Sequence, residues 1–471
     1  MHRLTVQRTP RRGYHNPAAL PFFAFMNASL NRRRFIGQAA TAGAGLAFGA
    51  AAAAAAEKTP GTAPITQRAA TAAGRATSAW PISEQRDEDA LISVLRSGKW
   101  GRTGAGGLRV KEFETIFAER MRARFCVATS SGTTALLSAL GALNIGPGDE
   151  VILPPYTFVA TFNAITNNFA LPVFADVEAD SFQVDPQKIA AAITSATRLL
   201  LPVHIGGTPC DIEAIATIGR TRQITLLEDA CQSLTAEWRG QPIGTHGIGG
   251  CFSFQASKNL TAGEGGAVLT NDEAFAHQVY NFHTPGGGKP GASWGRSANY
   301  RLTEFQAALL LTQYSRFEAQ QTQRTENATY LATLLHKIGG IAPARIPSGC
   351  NRSGWHLFMM RYDAREFAGL PRAKFIQALA KDRVAASSGY TSLNLSNHVK
   401  ALAANPHYQR IYGVDTMARW VARNHCPVND RVIEEAVWLG QTTLLESRHE
   451  MERIAEVIVG VKKRAGDLAK A

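Results

Sequence analysis

Between about residues 124 and 272 short apolar runs alternate with stretches of helical spacing, and this alternation limits the fold more than any other feature. The strand-like runs are EVILP (150–154), LPVFADV (171–177), RLLLPVH (198–204), ITLLED (224–229) and CFSF (251–254). GTTALLSALGAL (132–143), PQKIAAAIT (186–194) and DIEAIATIG (211–219) read as helices between them. Such alternation predicts an α/β domain with a mostly parallel sheet. Ligands of these folds gather at the carboxyl ends of the strands, which puts Asp229, directly after ITLLE, at a candidate site.

A long helix is expected at about 302–320, after which the Pro/Gly-rich IAPARIPSG (341–349) sets off a C-terminal lobe. That lobe carries a strand-like WHLFMMRYD (355–363) and a helical PRAKFIQALAKD (371–382). Met451, Ile454, Ile458 and Val461 fall on one face of a closing helix, a packing stripe. The expected organisation is a leader (1–56), a linker or arm (57–79), a large domain (80–335) and a small C-terminal domain (336–471).

Composition supports a folded chain: 45% of the 471 residues are hydrophobic and 18% charged, enough for a large core. The net charge of +13 suggests nucleic acid until it is located along the chain. Residues 1–56 hold seven arginines and no lysine or acid; the rest has 43 basic against 37 acidic residues. No basic cluster with interleaved aromatics appears in that remainder, so DNA or RNA binding is not expected. Six scattered cysteines without a CxxC pair, and twelve histidines without HExxH spacing, give no support to a disulfide framework or a metal site.

The basic N-terminus has its own reading. MNASLNRRRFIGQAATAGAGLAFGAAAAAAAEK, from Met26, holds a twin arginine, a phenylalanine two places on and an Ala/Gly run with small residues near 50–56. This resembles a twin-arginine export signal, with Asn31 where Ser or Thr is commoner, and predicts a periplasmic protein. A disordered Ala-rich leader or an uncleaved membrane anchor is the alternative reading of the segment, and the cytoplasm the alternative location.

Three motifs carry possible chemistry. TSSGTTALLSAL (129–140) places Ser, Gly and Thr at a helix start, where free amides and the helix dipole suit a phosphate, although the same residues also make ordinary caps. EDACQS (228–233) puts two carboxylates at a strand end, where a buried acid needs a cation or a strong donor, although Asp229 could equally cap the next helix. Lys258 stands alone in SFQASKNLTAGEGGAVLTND (253–272) among small, apolar and neutral polar residues; in apolar surroundings its amine would be a nucleophile for carbonyl carbons, with a surface lysine on a loop as the alternative.

Taken in this order, and with SGKWGR (97–102), GPGDEVILPPYTFVAT (146–161), NYRLTEFQAAL (299–309) and HLFMMRYD (356–363), the motifs resemble the DegT/StrS family of sugar and cyclitol aminotransferases over about residues 80–460. The resemblance implies a fold-type I pyridoxal phosphate (PLP) transferase with a large parallel-sheet domain and a smaller α/β lobe. It implies that Lys258 tethers the cofactor and shuttles the proton, and that Asp229 pairs with the pyridinium nitrogen. Gln232 would lie beside the ring, and Gly132, Thr133 and Ser253 would contact the phosphate. Phe158 would stack on the ring, with a plain core phenylalanine as its alternative. Asn299 would reach a neighbouring subunit's phosphate, which implies a homodimer with shared sites. Arg301 would bind a substrate carboxylate or hydroxyls, or else form a salt bridge at a helix start. The Gly-rich HTPGGGKPGASWGRS (283–297) departs from commoner family versions.

The expected reaction moves an amino group from glutamate or glutamine to a keto sugar or keto cyclitol. NYRLTEFQAALLL and CPVNDRVIEEAVWL (426–439) look most like the inosose and amino-hydroxybenzoate branches. A cytoplasmic aminotransferase for a nucleotide-linked keto hexose, and a non-catalytic PLP- or sugar-binding regulator, are the competing readings.

Overall fold

The computed structural model describes residues 80–104, 106–291 and 295–470; the leader and the linker lie outside them. Six of the seven strands of the main sheet point the same way, and five of them pair directly in parallel: β2 (Glu150–Leu153), β3 (Leu171–Phe174), β4 (Thr197–Leu200), β5 (Thr225–Asp229) and β6 (Gly249–Ser253). β7 (Gly266–Thr270) returns antiparallel between β6 and β1 (Phe125–Thr129), giving the order β1-β7-β6-β5-β4-β2-β3. The predicted parallel strands are therefore present, while β1 and the antiparallel β7 were not anticipated.

Side-chain alternation explains why β2 to β6 read as unbroken apolar runs. Ile152, Leu226 and Phe252 enter one core, and their neighbours Val151, Leu227 and Cys251 enter another on the opposite face. Helices cover both faces, so neither set of side chains meets water.

The helix expected to end near 320 continues to Leu335, spanning Glu304–Leu335. Thr303 and Gln306 cap its start reciprocally. Ala307, Leu310 and Phe317 pack in the first core, whereas Ala328, Leu331 and Leu335 join a third one. The polar QQTQRTENATY hides this continuation, because several of its polar residues are buried: Gln321, Arg324 and Asn327 all face inward.

The third core belongs to an antiparallel sheet of β8 (Ile341–Pro343), β9 (Leu357–Tyr362), β10 (Ala386–Ser387) and β11 (Ala436–Gly440), ordered β8-β9-β11-β10. Met451, Ile454, Ile458 and Val461 of the helix Arg448–Lys463 are buried there, as the stripe predicts. Between β10 and β11, helices Asn397–Ala404, Pro406–Tyr412 and Val414–Arg423 reach across to the edge strand β3. Trp420 donates its indole N–H to Pro172 O at 2.5 Å, covering an edge that would otherwise expose its backbone. Among the described residues, no helix is long and apolar enough to cross a membrane.

Candidate active site

The carboxyl ends of β1, β5 and β6 open onto one cavity of about 480 Å³. This is ample for a cofactor-sized ligand. Of the nine residues singled out in the sequence, seven line it: Gly132, Thr133, Phe158, Asp229, Gln232, Ser253 and Lys258.

Gly132 begins the helix Gly132–Ala142 directly after β1. Ser131 Oγ caps the Thr134 amide at 3.1 Å, and Thr134 Oγ1 accepts from the Ser131 amide at 2.9 Å. The amides of Gly132 and Thr133 stay available at the positive end of the helix. A side chain at 132 would close the cradle, since its Cβ would lie 2.6 Å from Ser253 Cβ and 3.0 Å from Cys231 Sγ. Gly266 is needed for the same reason: a Cβ there would sit 2.3 Å from Ser131 O.

The two adjacent carboxylates of EDACQS have separate tasks. Glu228 is fully buried behind the strand, where it accepts amide hydrogens from Gly244 at 2.8 Å and His246 at 2.7 Å and lies 3.2 Å from His204 Nε2. Burial raises its pKa, but these bonds and His204 outweigh it and leave the carboxyl below its ordinary value. Asp229, one residue on, turns into the cavity wall. Its Oδ2 accepts from Thr161 Oγ1 at 2.7 Å and its Oδ1 from the Cys231 amide at 3.1 Å. An ionised carboxylate has further lone pairs and can accept from a protonated ring nitrogen as well.

Lys258 sits on the connection between β6 and β7. Ala256 N donates to Gly263 O at 2.8 Å, Lys258 N to Gln255 O at 2.8 Å, and Trp80 Nε1 to Ala256 O at 2.8 Å, which together fix the turn. Desolvation pulls the lysine pKa below its usual value, and nearby Cys231 and Asp229 oppose this. Gln232 is held on both sides, donating to Tyr390 Oη at 2.7 Å and accepting from the Gly206 amide at 2.8 Å.

Phe158 caps the helix Val159–Thr166 and is 57% exposed, so it is no core phenylalanine. It lines the cavity while remaining open to solvent.

Asn299 and Arg301 do not line this cavity. Asn299 is exposed, and Arg301 is half-buried in an isolated antiparallel bridge with Thr129. The helix-start acid Glu304 is engaged elsewhere, accepting from the amides of Arg109 at 2.8 Å and Val110 at 3.0 Å, so it forms no salt bridge with Arg301.

Thr161, His356 and Tyr390 also line the wall and were not singled out from the sequence. Thr161 closes the PYTFVAT motif and His356 opens HLFMMRYD, so the motifs held the signal. Tyr390 sits in an undistinguished GYTS stretch.

A cradle kept open by the glycine at 132, an acid lining the same cavity and a desolvated lysine beside it fit pyridoxal phosphate. Residues 81–459 match the family model described as the DegT/DnrJ/EryC1/StrS aminotransferase family. The chain belongs to this family.

It is 32% identical, over 83% of its length and 95% of the relative's, to a putative L-glutamine:3-amino-2,3-dideoxy-scyllo-inosose aminotransferase of Micromonospora echinospora. It is 36% identical, over 71% and 85%, to the spore coat polysaccharide biosynthesis protein SpsC of Bacillus subtilis (strain 168). The crystal structure of 3-amino-5-hydroxybenzoic acid synthase superposes with a TM-score of 0.71 at 30% identity, covering 83% of this chain and 99% of that one. The crystal structure of S. venezuelae DesV in complex with a ketimine intermediate gives 0.67 at 28% identity, covering 81% of this chain and 95% of that one. As a DegT/DnrJ/EryC1/StrS aminotransferase the chain is a transaminase that depends on pyridoxal phosphate.

Proposed function

We propose that this aminotransferase takes an amino group from glutamine or glutamate and delivers it to a free keto cyclitol or an unactivated keto sugar. Lys258 and Asp229 facing one cavity beside the Gly132 cradle is the observation that carries the reading. Relatives named for glutamine and inososes support the donor and the acceptor class.

Pyridoxal phosphate, when bound, supplies an electron sink for charge at the substrate carbon. Asp229 would hold the protonated ring nitrogen, and the Gly132 and Thr133 amides with Ser253 would hold the phosphate. Lys258, its ammonium form disfavoured by desolvation, is suited to take a proton from substrate carbon and return it. Phe158 would shield the ring from solvent.

Homodimerisation belongs to the same proposal: Asn299, exposed and away from its own cavity, is free to serve a partner's. Export by the twin-arginine route rests on the leader sequence alone. That route carries folded proteins, so the cofactor would be loaded beforehand.

The acceptor is tested by offering inososes, free keto sugars and nucleotide-linked keto hexoses to the pyridoxamine phosphate form and following absorbance. Return of the pyridoxal form with inososes or free keto sugars is expected; turnover of nucleotide-linked hexoses alone would refute the acceptor class.

A further inference from the structure

Asn259, next to Lys258, ties the lysine turn to the segment entering β9. Its Nδ2 donates to Gly354 O at 2.7 Å and lies 3.4 Å from Trp355 O, which fixes the orientation of the amide. Oδ1 then faces His356 Nδ1 at 3.3 Å. A carboxamide oxygen can only accept, so Nδ1 carries the ring hydrogen and Nε2 holds a lone pair.

That lone pair has no protein partner among the described residues, and it is not sealed away as His283 Nε2 is. His356 lines the main cavity with Lys258, and both border a void of about 10 Å³ beneath it. Such a void holds one water at most.

The charges of Lys258 and Arg324 both act on the ring; Arg324 is fully buried, bonded to Gln441 Oε1 at 2.6 and 2.9 Å and, among the described residues, without a carboxylate partner. Burial first, then these two charges, hold the imidazole well below its ordinary pKa. An imidazolium there would be a further buried charge without a partner, so the ring remains neutral and keeps its lone pair.

We propose that His356 is a positioning residue for Lys258: fixed by Asn259, its Nε2 accepts an N–H of the free lysine amine and so turns the amine's own lone pair toward the reacting carbon. The proposal rests on Lys258 being the tether and proton carrier.

Nitrogen-15 NMR of the full chain labelled at histidine, with His356→Gln to identify the signal, reads the tautomer directly. A neutral Nδ1–H ring at pH 7 is expected; an Nε2–H ring or an imidazolium would overturn the proposal. His356→Phe removes the acceptor and should lower the single-turnover rate about 10- to 100-fold while PLP affinity stays within about threefold. His356→Gln, whose amide oxygen can accept, should recover part of that rate. Equal losses in both variants, or a rate loss matched by weaker PLP binding, would indicate a merely structural role and overturn it. Borohydride fixing PLP to a lysine other than Lys258 would instead remove the reading on which it rests.

Discussion

Thr161 Oγ1 lies 2.7 Å from Asp229 Oδ2 and donates to it, so a residue of the PYTFVAT motif orients the acid at the end of β5. Thr161→Val keeps the shape and removes the donor. In the cofactor-free protein it should cost about 1–3 kcal/mol, the penalty for leaving a buried charged acceptor unpaired, measured by denaturant unfolding. Asp229→Asn should fold, yet lose activity on the order of a hundredfold or more through the lost charge. Near-normal turnover in Asp229→Asn would exclude the ring-nitrogen role.

Gly132→Ala tests the cradle. Its methyl would press on Ser253 Cβ at 2.6 Å and Cys231 Sγ at 3.0 Å. Overpacking of this kind costs about 1–3 kcal/mol. If that cost falls on the bound state, PLP affinity drops about 5- to 150-fold in an absorbance titration. Unchanged affinity would place the phosphate elsewhere.

Phe158 separates cofactor binding from stability. Being 57% exposed, it should tolerate Phe158→Ala with a stability change within about 0.5 kcal/mol. Loss of ring stacking should weaken PLP severalfold, in line with about 0.5–1.5 kcal/mol for an aromatic pair. A variant that unfolds but binds normally would reverse the assignment.

Lys258 predicts a pH effect. Desolvation sets its pKa below the usual 10.5 in the folded chain. The unfolded chain therefore binds more protons between the two values, and stability rises with pH across that interval. Below the folded-state pKa the penalty of the buried ammonium is present in full. Lys258→Met removes it, so cofactor-free Lys258→Met should be the more stable protein at pH 7, and the advantage should vanish above about pH 10.4. Equal stability at pH 7, by chemical denaturation, would contradict the desolvated amine.

The sequence made the site easier to read than the walls behind it. β2 to β6 announced themselves because both faces are buried, so each strand is a continuous apolar run bounded by turns. Asp229 could be placed because strand ends locate ligands in parallel sheets, whereas Lys258 was singled out by its neutral neighbours and by the family resemblance. Glu228 looked equivalent to Asp229, and only the amides of Gly244 and His246 separate their roles. The strand β7 that carries Gly266 was not anticipated, since an antiparallel return strand inside a parallel sheet has no local signature. The buried polar face of the long helix, Gln321, Arg324 and Asn327, ran against the expectation that polar residues mark an end; tertiary partners such as Gln441 and Leu444 O satisfy much of it. His356 and Asn259 are 97 residues apart, so their pairing could not be read from either motif.

Borohydride reduction of the PLP-loaded protein, followed by peptide mapping, tests the central claim most directly. The cofactor should be fixed to the peptide containing Lys258, and Lys258→Ala should carry none; label on another lysine, or no fixed label in the yellow parent protein, would contradict the account.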